Sequence, residues 1–200
     1  MPRNPRVEIV GATYHVTSRG VDRCRIFKDD LDREEFVRRL GRSVARANWT
    51  VLGYCLMGNH YHLFIRLQEL TLSRGIQSLN GGYAQAFNRR HGRGGHLFQG
   101  RYDAELVESD GHLFELFRYG ALNPCRADLC KVPEAWPWSS YGSAIGLYPS
   151  DPIVSEGELL SLFARDRTVA RSRLRAYVEE RDLRNRRGQT RVRPGSDPSG

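Results

Sequence analysis

The chain has 200 residues, 40% of them apolar and 10% aromatic, enough for one sizeable core with appendages. Its 31 basic residues outnumber 23 acidic ones for a net charge of +8, and 29 of the 31 are arginines, whose planar forks suit phosphate and base edges. This favours a nucleic-acid partner over a membrane role, because no apolar run approaches the about 20 residues that span a bilayer, and residues 1–10 lack the apolar stretch of a secretory leader.

Residues 12–19 alternate and are rich in Thr, Tyr and Val, which predicts a strand with Thr13, His15, Thr17 and Arg19 on one face. Residues 31–48 carry Phe36, Val37, Leu40 and Val44 between charges, the pattern of an amphipathic helix. Residues 49–57 are uncharged and largely apolar, a buried strand. Gly58-Asn59 is a turn signal, and residues 60–67 return as a second strand, so the pair reads as a hairpin. Leu72, Ile76, Leu79, Tyr83 and Phe87 recur at helical spacing up to about Arg90. After the glycines of residues 92–95, residues 96–107 predict a further strand. Ser109 or Asp110 can cap a helix to about Leu122, with Asn123-Pro124 expected to end it, since a residue before proline avoids the helical region.

The order β-α-β-β-α-β-α predicts an α+β fold. Its first six elements match the ferredoxin-like split β-α-β pattern, an antiparallel sheet with helices on one face. Beyond Pro124 the chain changes character. Residues 136–141 are aromatic and turn-rich, residues 155–158 form a capping box before a short helix through Phe163, and residues 168–181 predict a basic helix. The expected organisation is a body over 1–128, a helical extension packed on or beside it over 129–183, and a basic tail without fixed structure over 184–200. The four cysteines (Cys24, Cys55, Cys125, Cys130) contain no C-x-x-C pair, and reduced thiols in a cytoplasmic protein are expected.

The charge is unevenly spread. Residues 1–164 are nearly neutral, whereas residues 165–193 hold 11 arginines against four acids. Deleting 165–200 is therefore expected to weaken general affinity for DNA without touching the chemistry. Within the body, residues 70–102 contain no acid but carry Arg74, Arg89, Arg90, Arg93 and Arg101. With Arg19, these are the candidate DNA contacts, and Tyr83, Phe98 or Tyr102 could stack unpaired bases.

His60 and His62 lie two apart on a predicted strand, hence on one face, where two imidazoles can take two positions on a divalent metal. Tyr119 and Asn123 lie four apart on a predicted helix, again on one face. Each pair alone is more often packing than chemistry. His15 reads as a packing or DNA-contacting residue rather than a ligand.

Together, an H-x-H strand followed by a helix with Tyr and an amide at the fourth position resembles the HUH-type single-tyrosine nucleases. The segments YHVTSRG from Tyr14, MGNHYHL from Met57, GHLFQGRY from Gly95, YGALNPCRA from Tyr119 and WSSY from Trp138 resemble the REP-associated tyrosine transposases, in order across residues 7–145. The resemblance implies a catalytic domain at 1–128, His60 and His62 as metal ligands, Asn123 as a third ligand where insertion-sequence relatives use glutamine, and Tyr119 as nucleophile. It implies Mg²⁺ or Mn²⁺ as cofactor, single-stranded or hairpin DNA as partner, and a monomer, with a homodimer as the alternative. The implied activity is endonuclease and strand transfer on hairpin-forming repeats through a 5′-phosphotyrosine. A phenol with a pKa of about 10 requires activation for that chemistry. The alternative is a non-catalytic protein of the same fold that binds palindromic DNA. An RRM-type RNA-binding domain fits less well, because the aromatic signature of its central strand is absent.

Overall fold

The computed structural model describes residues 7–189. Four strands form one antiparallel sheet: β1 (Thr13–Arg19), β2 (Trp49–Leu56), β3 (His60–Leu67) and β4 (Asp103–Leu106), in the order β2-β3-β1-β4. The first and third strands are therefore central, as the ferredoxin-like pattern requires. Helices α1 (Asp30–Ala47) and α2 (Leu72–Arg90) connect them. Asp29 caps α1 by accepting from the Asp32 amide, and Asn48 closes it in the left-handed conformation, where Asn is tolerated.

Alternation along the strands divides the protein into two cores. On one face Val16, Tyr61, Leu63 and Ile65 pack with Phe36 and Leu40 of α1 and Ile76, Leu79 and Tyr83 of α2. Each fully buried Leu or Phe contributes about 1.5–3 kcal/mol here. On the other face Leu52 and Phe64 meet α3 (Asp110–Arg126), which presents Leu113, Phe117 and Ala121. Two glycines allow that approach. A β-carbon at Gly53 of β2 would lie 2.6 Å from Phe117 Cε2, and one at Gly120 of α3 would lie 3.2 Å from Phe64 Cζ.

The segment after α3 covers the edge of β2. Leu56 donates its amide to Trp138 O, Ser140 donates to Tyr54 O, and Ser140 Oγ accepts from the Tyr54 amide. An edge strand that would otherwise offer unpaired backbone groups is thus occupied. Arg33 of α1 sits over the rings of Trp136 and Trp138 at 5.5 and 5.7 Å, tying this segment to the first helix. Three more helices follow: α4 (Tyr141–Ala144), α5 (Glu156–Ser161) and α6 (Arg167–Gln189). Ala170, Leu174 and Val178 of α6 are fully buried in the second core, so residues 165–180 are part of the folded body and not a dispensable basic appendage. Residues 184–189, expected to begin a tail without fixed structure, instead continue α6, and residues 190–200 of that tail lie outside the described residues.

Three local expectations are corrected. The α3 helix does not end at Asn123. It runs through Pro124 to Arg126, because a proline in the last turn forfeits only one backbone bond, and Ala127 N still donates to Asn123 O. The strand expected over 96–107 shrinks to Asp103–Leu106, since Gly95 and Gly100 take positive φ and break it. The capping box at Ser155 does not form. Its Glu158 instead pairs with Arg66 on β3 at 2.5 Å, and the Ser155 side chain makes no capping bond.

Candidate active site

The antiparallel register of β1 on β3 sets Arg19 opposite His60, Thr17 opposite His62 and His15 opposite Phe64. His60 and His62 share one face, their ring centroids 5.0 Å apart. That face is the one covered by α3, so the histidines lie beneath the helix carrying Tyr119 and Asn123. The Tyr119 ring stands edge-on to His62 at 5.6 Å, and Asn123 Nδ2 lies 2.9 Å from His62 Nε2. Gly120, between them, gives the necessary closeness: a β-carbon there would come within 3.8 Å of His62 Cβ. The helical continuation past Pro124 keeps Asn123 on the same face as Tyr119.

A network under the site was not legible as such in the sequence. His15 is buried, stacks between His62 and Phe64, and has Nε2 2.9 Å from His62 Nδ1. Its Nδ1 lies 3.7 Å from Glu105 of β4, which also meets His112 Nε2 at 3.2 Å. One tautomer set satisfies every contact. Asn123 Nδ2 donates to the lone pair of His62 Nε2, His62 Nδ1–H donates to His15 Nε2, and His15 Nδ1–H faces the Glu105 carboxylate. A histidine's second nitrogen fixes the tautomer of its first in this way. His15 thus packs, as expected, but against a site histidine. The alternation of residues 12–19 was the available signal.

Burial lowers the pKa of all three histidines. His60 is pushed down to about 4, chiefly by burial and then by Arg19. His62 falls well below its usual value through burial, helped by His15, His60 and Arg19. For His15, burial lowers the value while Glu105 opposes it. At neutral pH His60 and His62 are therefore uncharged, and each keeps one nitrogen lone pair, that of His62 Nε2 accepting from Asn123. His60 Nδ1 is held 2.7 Å from Asn59 Oδ1. Among the described residues no group of three or more His, Cys, Asp or Glu side chains is placed to hold a metal ion. The donor set here is two imidazoles and an amide.

Tyr119 is 46% exposed and so can reach a substrate in solution. The Arg126 guanidinium lies 5.2 Å from its ring centroid. Tyr119, His60, His62, Arg19 and Arg101 line one open cavity of about 580 Å³, so two of the six candidate DNA-binding arginines face the site. Arg74 and Arg89 are exposed on α2 and do not line this cavity. Arg90 is turned to α1, where it pairs with Asp29 at 2.6 Å and Asp32 at 2.5 Å. Arg93 approaches Cys24 Sγ at 3.9 Å. Composition could not show that Arg90, within the acid-free window, draws its counter-charges from the start of a helix some 60 residues away. The three aromatics expected to stack bases, Tyr83, Phe98 and Tyr102, are all buried in the first core, at 1%, 9% and 6% exposure, so none offers an open ring face.

No helix of the described residues is long and apolar enough to cross a membrane. A family model described as "Transposase IS200 like" matches residues 8–119. Among solved structures, the chain is similar to a REP-associated tyrosine transposase bound to a REP hairpin, at 17% identity over 74% of this chain and 89% of that one, with a TM-score of 0.61. It is also similar to a putative transposase from Deinococcus radiodurans, at 14% identity over 56% of this chain and 91% of that one, with a TM-score of 0.42. No curated protein matches.

Proposed function

Since the chain belongs to the IS200-like transposase family, we propose that it is a single-strand DNA endonuclease and strand transferase acting on hairpin-forming repeats, with Tyr119 as nucleophile. The observation that carries this reading is the convergence of Tyr119 and Asn123 of α3 on His62 of β3, with His60 beside it, in a cavity that Arg19 and Arg101 also line.

The Tyr119 oxygen attacks a backbone phosphorus. The bond to the 3′-oxygen breaks, that oxygen takes a proton, and the 5′-phosphate remains on the tyrosine. A 3′-hydroxyl of a second strand then attacks the phosphotyrosine, restores a phosphodiester and frees Tyr119. One phosphate ester is exchanged for another at each step, so no nucleoside triphosphate is consumed. Arg19 and Arg101 supply positive charge along the strand, and the exposed Tyr119 ring, flanked by Arg126, presents its hydroxyl from the helix.

The donors suit a divalent ion. Two neutral imidazoles and an amide, His60, His62 and Asn123, would hold Mg²⁺ or Mn²⁺ with positions left for phosphate oxygens. Such an ion supplies Lewis-acid polarisation of the phosphate and an orientation for in-line attack. The REP hairpin bound to the similar structure supports hairpin DNA as the substrate class.

The test is incubation with end-labelled single-stranded hairpin oligonucleotides in Mn²⁺ or Mg²⁺. A covalent protein–DNA adduct that disappears in Tyr119→Phe, and with chelator, is expected. An adduct that persists in Tyr119→Phe refutes the nucleophile. Tight hairpin binding without any adduct, across a panel of hairpins, points instead to a DNA-binding protein that does not cleave.

A further inference from the structure

A second and larger cavity, of about 660 Å³, lies between α2 and residues 95–102. That volume is in the range of small-ligand sites. The α2 helix faces the core with Ile76, Leu79, Tyr83 and Phe87, and presents a different stripe to this cavity: Gln77, Gly81, Ala84 and Asn88, spaced by four, three and four residues. The middle of the stripe is small. A β-carbon at Gly81 would meet nothing within 4 Å, so the space above it is open. The facing wall consists of Gly95, His96 and Gly100 with small edges of Leu97, Phe98 and Tyr102, which are otherwise buried in the first core.

Amides dominate the polar lining, joined by Ser73, His96 and Arg101. Four amide side chains, Gln77, Asn80, Gln85 and Asn88, line the cavity, and no acidic residue does. Asn80 is held by Tyr61 and Ser18, and Asn88 by the Gly95 carbonyl. Gln77 and Gln85 are exposed and make no side-chain hydrogen bond among the described residues. Amides that combine donor and acceptor match the edges of nucleobases, and the small surface at Gly81 and Ala84 leaves room for a flat ring beside them. Gly100 and Arg101 line both this cavity and the one containing Tyr119, so the two are neighbours across one short segment.

We propose that this cavity receives an unpaired nucleobase of the DNA strand whose phosphate is attacked at Tyr119, with Gln77 and Gln85 reading the base edge and Arg101 holding the intervening phosphate. An exposed amide-lined cavity sharing an arginine with a phosphate-handling site fits a single strand passing from one to the other. The inference rests on the DNA-cleaving reading for the strand's identity, but it concerns a different set of residues.

The experiment is a binding selection on a fixed DNA hairpin with eight randomised unpaired nucleotides on each side, carried out in the Tyr119→Phe background so that binding is read without cleavage. The otherwise native protein is expected to enrich one base at one flank position by about 10-fold. Gly81→Trp, which fills the cavity from an exposed helical position, and Gln85→Ala, a mild surface change, are each expected to reduce that preference to under about 3-fold. Gln85→Ala serves if Gly81→Trp fails to fold. An unchanged preference in a folded Gly81→Trp or in Gln85→Ala, or no preference in the unmodified cavity, overturns the proposal. The two readings fail separately. Absence of a Tyr119 adduct refutes cleavage while a cavity-dependent preference stands, and an adduct with a cavity-independent preference refutes the cavity alone.

Discussion

Replacing His15 by Phe cuts the polar link at the base of the site, whose buried end is His62 and whose half-exposed end, Glu105, stays open to water. The ring volume is conserved, and the stack on Phe64, with centroids 4.9 Å apart, can persist. What disappears is the partner 2.9 Å from His62 Nδ1. His62 is only 4% exposed, so water does not readily replace that partner. Leaving a buried polar group unpaired costs about 1–3 kcal/mol of stability. If His62 escapes by moving its proton to Nε2, the lone pair facing Asn123 is lost instead. Either outcome weakens metal binding, and loss of such an outer partner typically costs about 10–100-fold in affinity, or about 1.4–2.7 kcal/mol. Titration calorimetry with Mn²⁺ reads the affinity and urea unfolding reads the stability. His15→Gln, whose amide oxygen can accept from His62 Nδ1–H, should recover part of the affinity. A folded His15→Phe protein that binds Mn²⁺ within twofold of wild type refutes the orienting role, as does a Gln variant no better than Phe.

Gly120→Val should cost about 1–3 kcal/mol by overpacking against Phe64 and lift α3 from His62, lowering adduct yield more than hairpin binding; unchanged adduct yield in a folded variant contradicts the close-approach argument. In chelator, stability should fall with acid. Burial holds His60 at about 4 against 6.5 when unfolded, so the unfolded chain takes up the proton first, and the contribution is lost as pH drops through 6.5 toward 4. His60's share of that loss is about 1–2 kcal/mol between pH 7.5 and 5, discounted for its partial exposure and added to the losses from His62 and His15, so a His60→Gln protein that loses as much as wild type would assign this share elsewhere. Removing residues 181–200, which carry six arginines and two aspartates, should weaken hairpin binding and flatten its salt dependence by about 0.7–0.9 for each phosphate these arginines neutralise; an unchanged slope would show that they do not touch the DNA. Extending the truncation to residue 165 should instead unfold the second core, because Ala170, Leu174 and Val178 go with it.

The parts of the fold legible in the sequence are those governed by short periodicities. The H-x-H pair could be placed on one strand face because alternation has a period of two, and Tyr119 with Asn123 on one helix face because helical neighbours lie four apart. Local rules failed where distant partners compete with them. The proline rule ended α3 too early, since a single lost bond in a last turn is tolerated when Phe117 and Ala121 dock the helix on the sheet. The capping-box rule failed because Arg66, from another element, claims Glu158.

Charge is the plainest case of composition without address. The acid-free window over residues 70–102 suggested a single phosphate-facing surface, yet its arginines part company once the chain folds. Arg90 neutralises Asp29 and Asp32 at the start of α1, whereas Arg101 stands between the two cavities. The same holds for α6, where the stripe Ala170, Leu174 and Val178, spaced by four, was already core-like among the arginines. The register of β1 on β3 supplies what neither pattern contains. It brings His15 and Arg19, some 45 residues from the H-x-H pair, into the same layer as His60 and His62. A face assignment names which residues can act together, and only strand pairing decides which of them touch. For that reason His15, readable as facing one side but not as facing His62, is the residue whose substitution tests the site most directly.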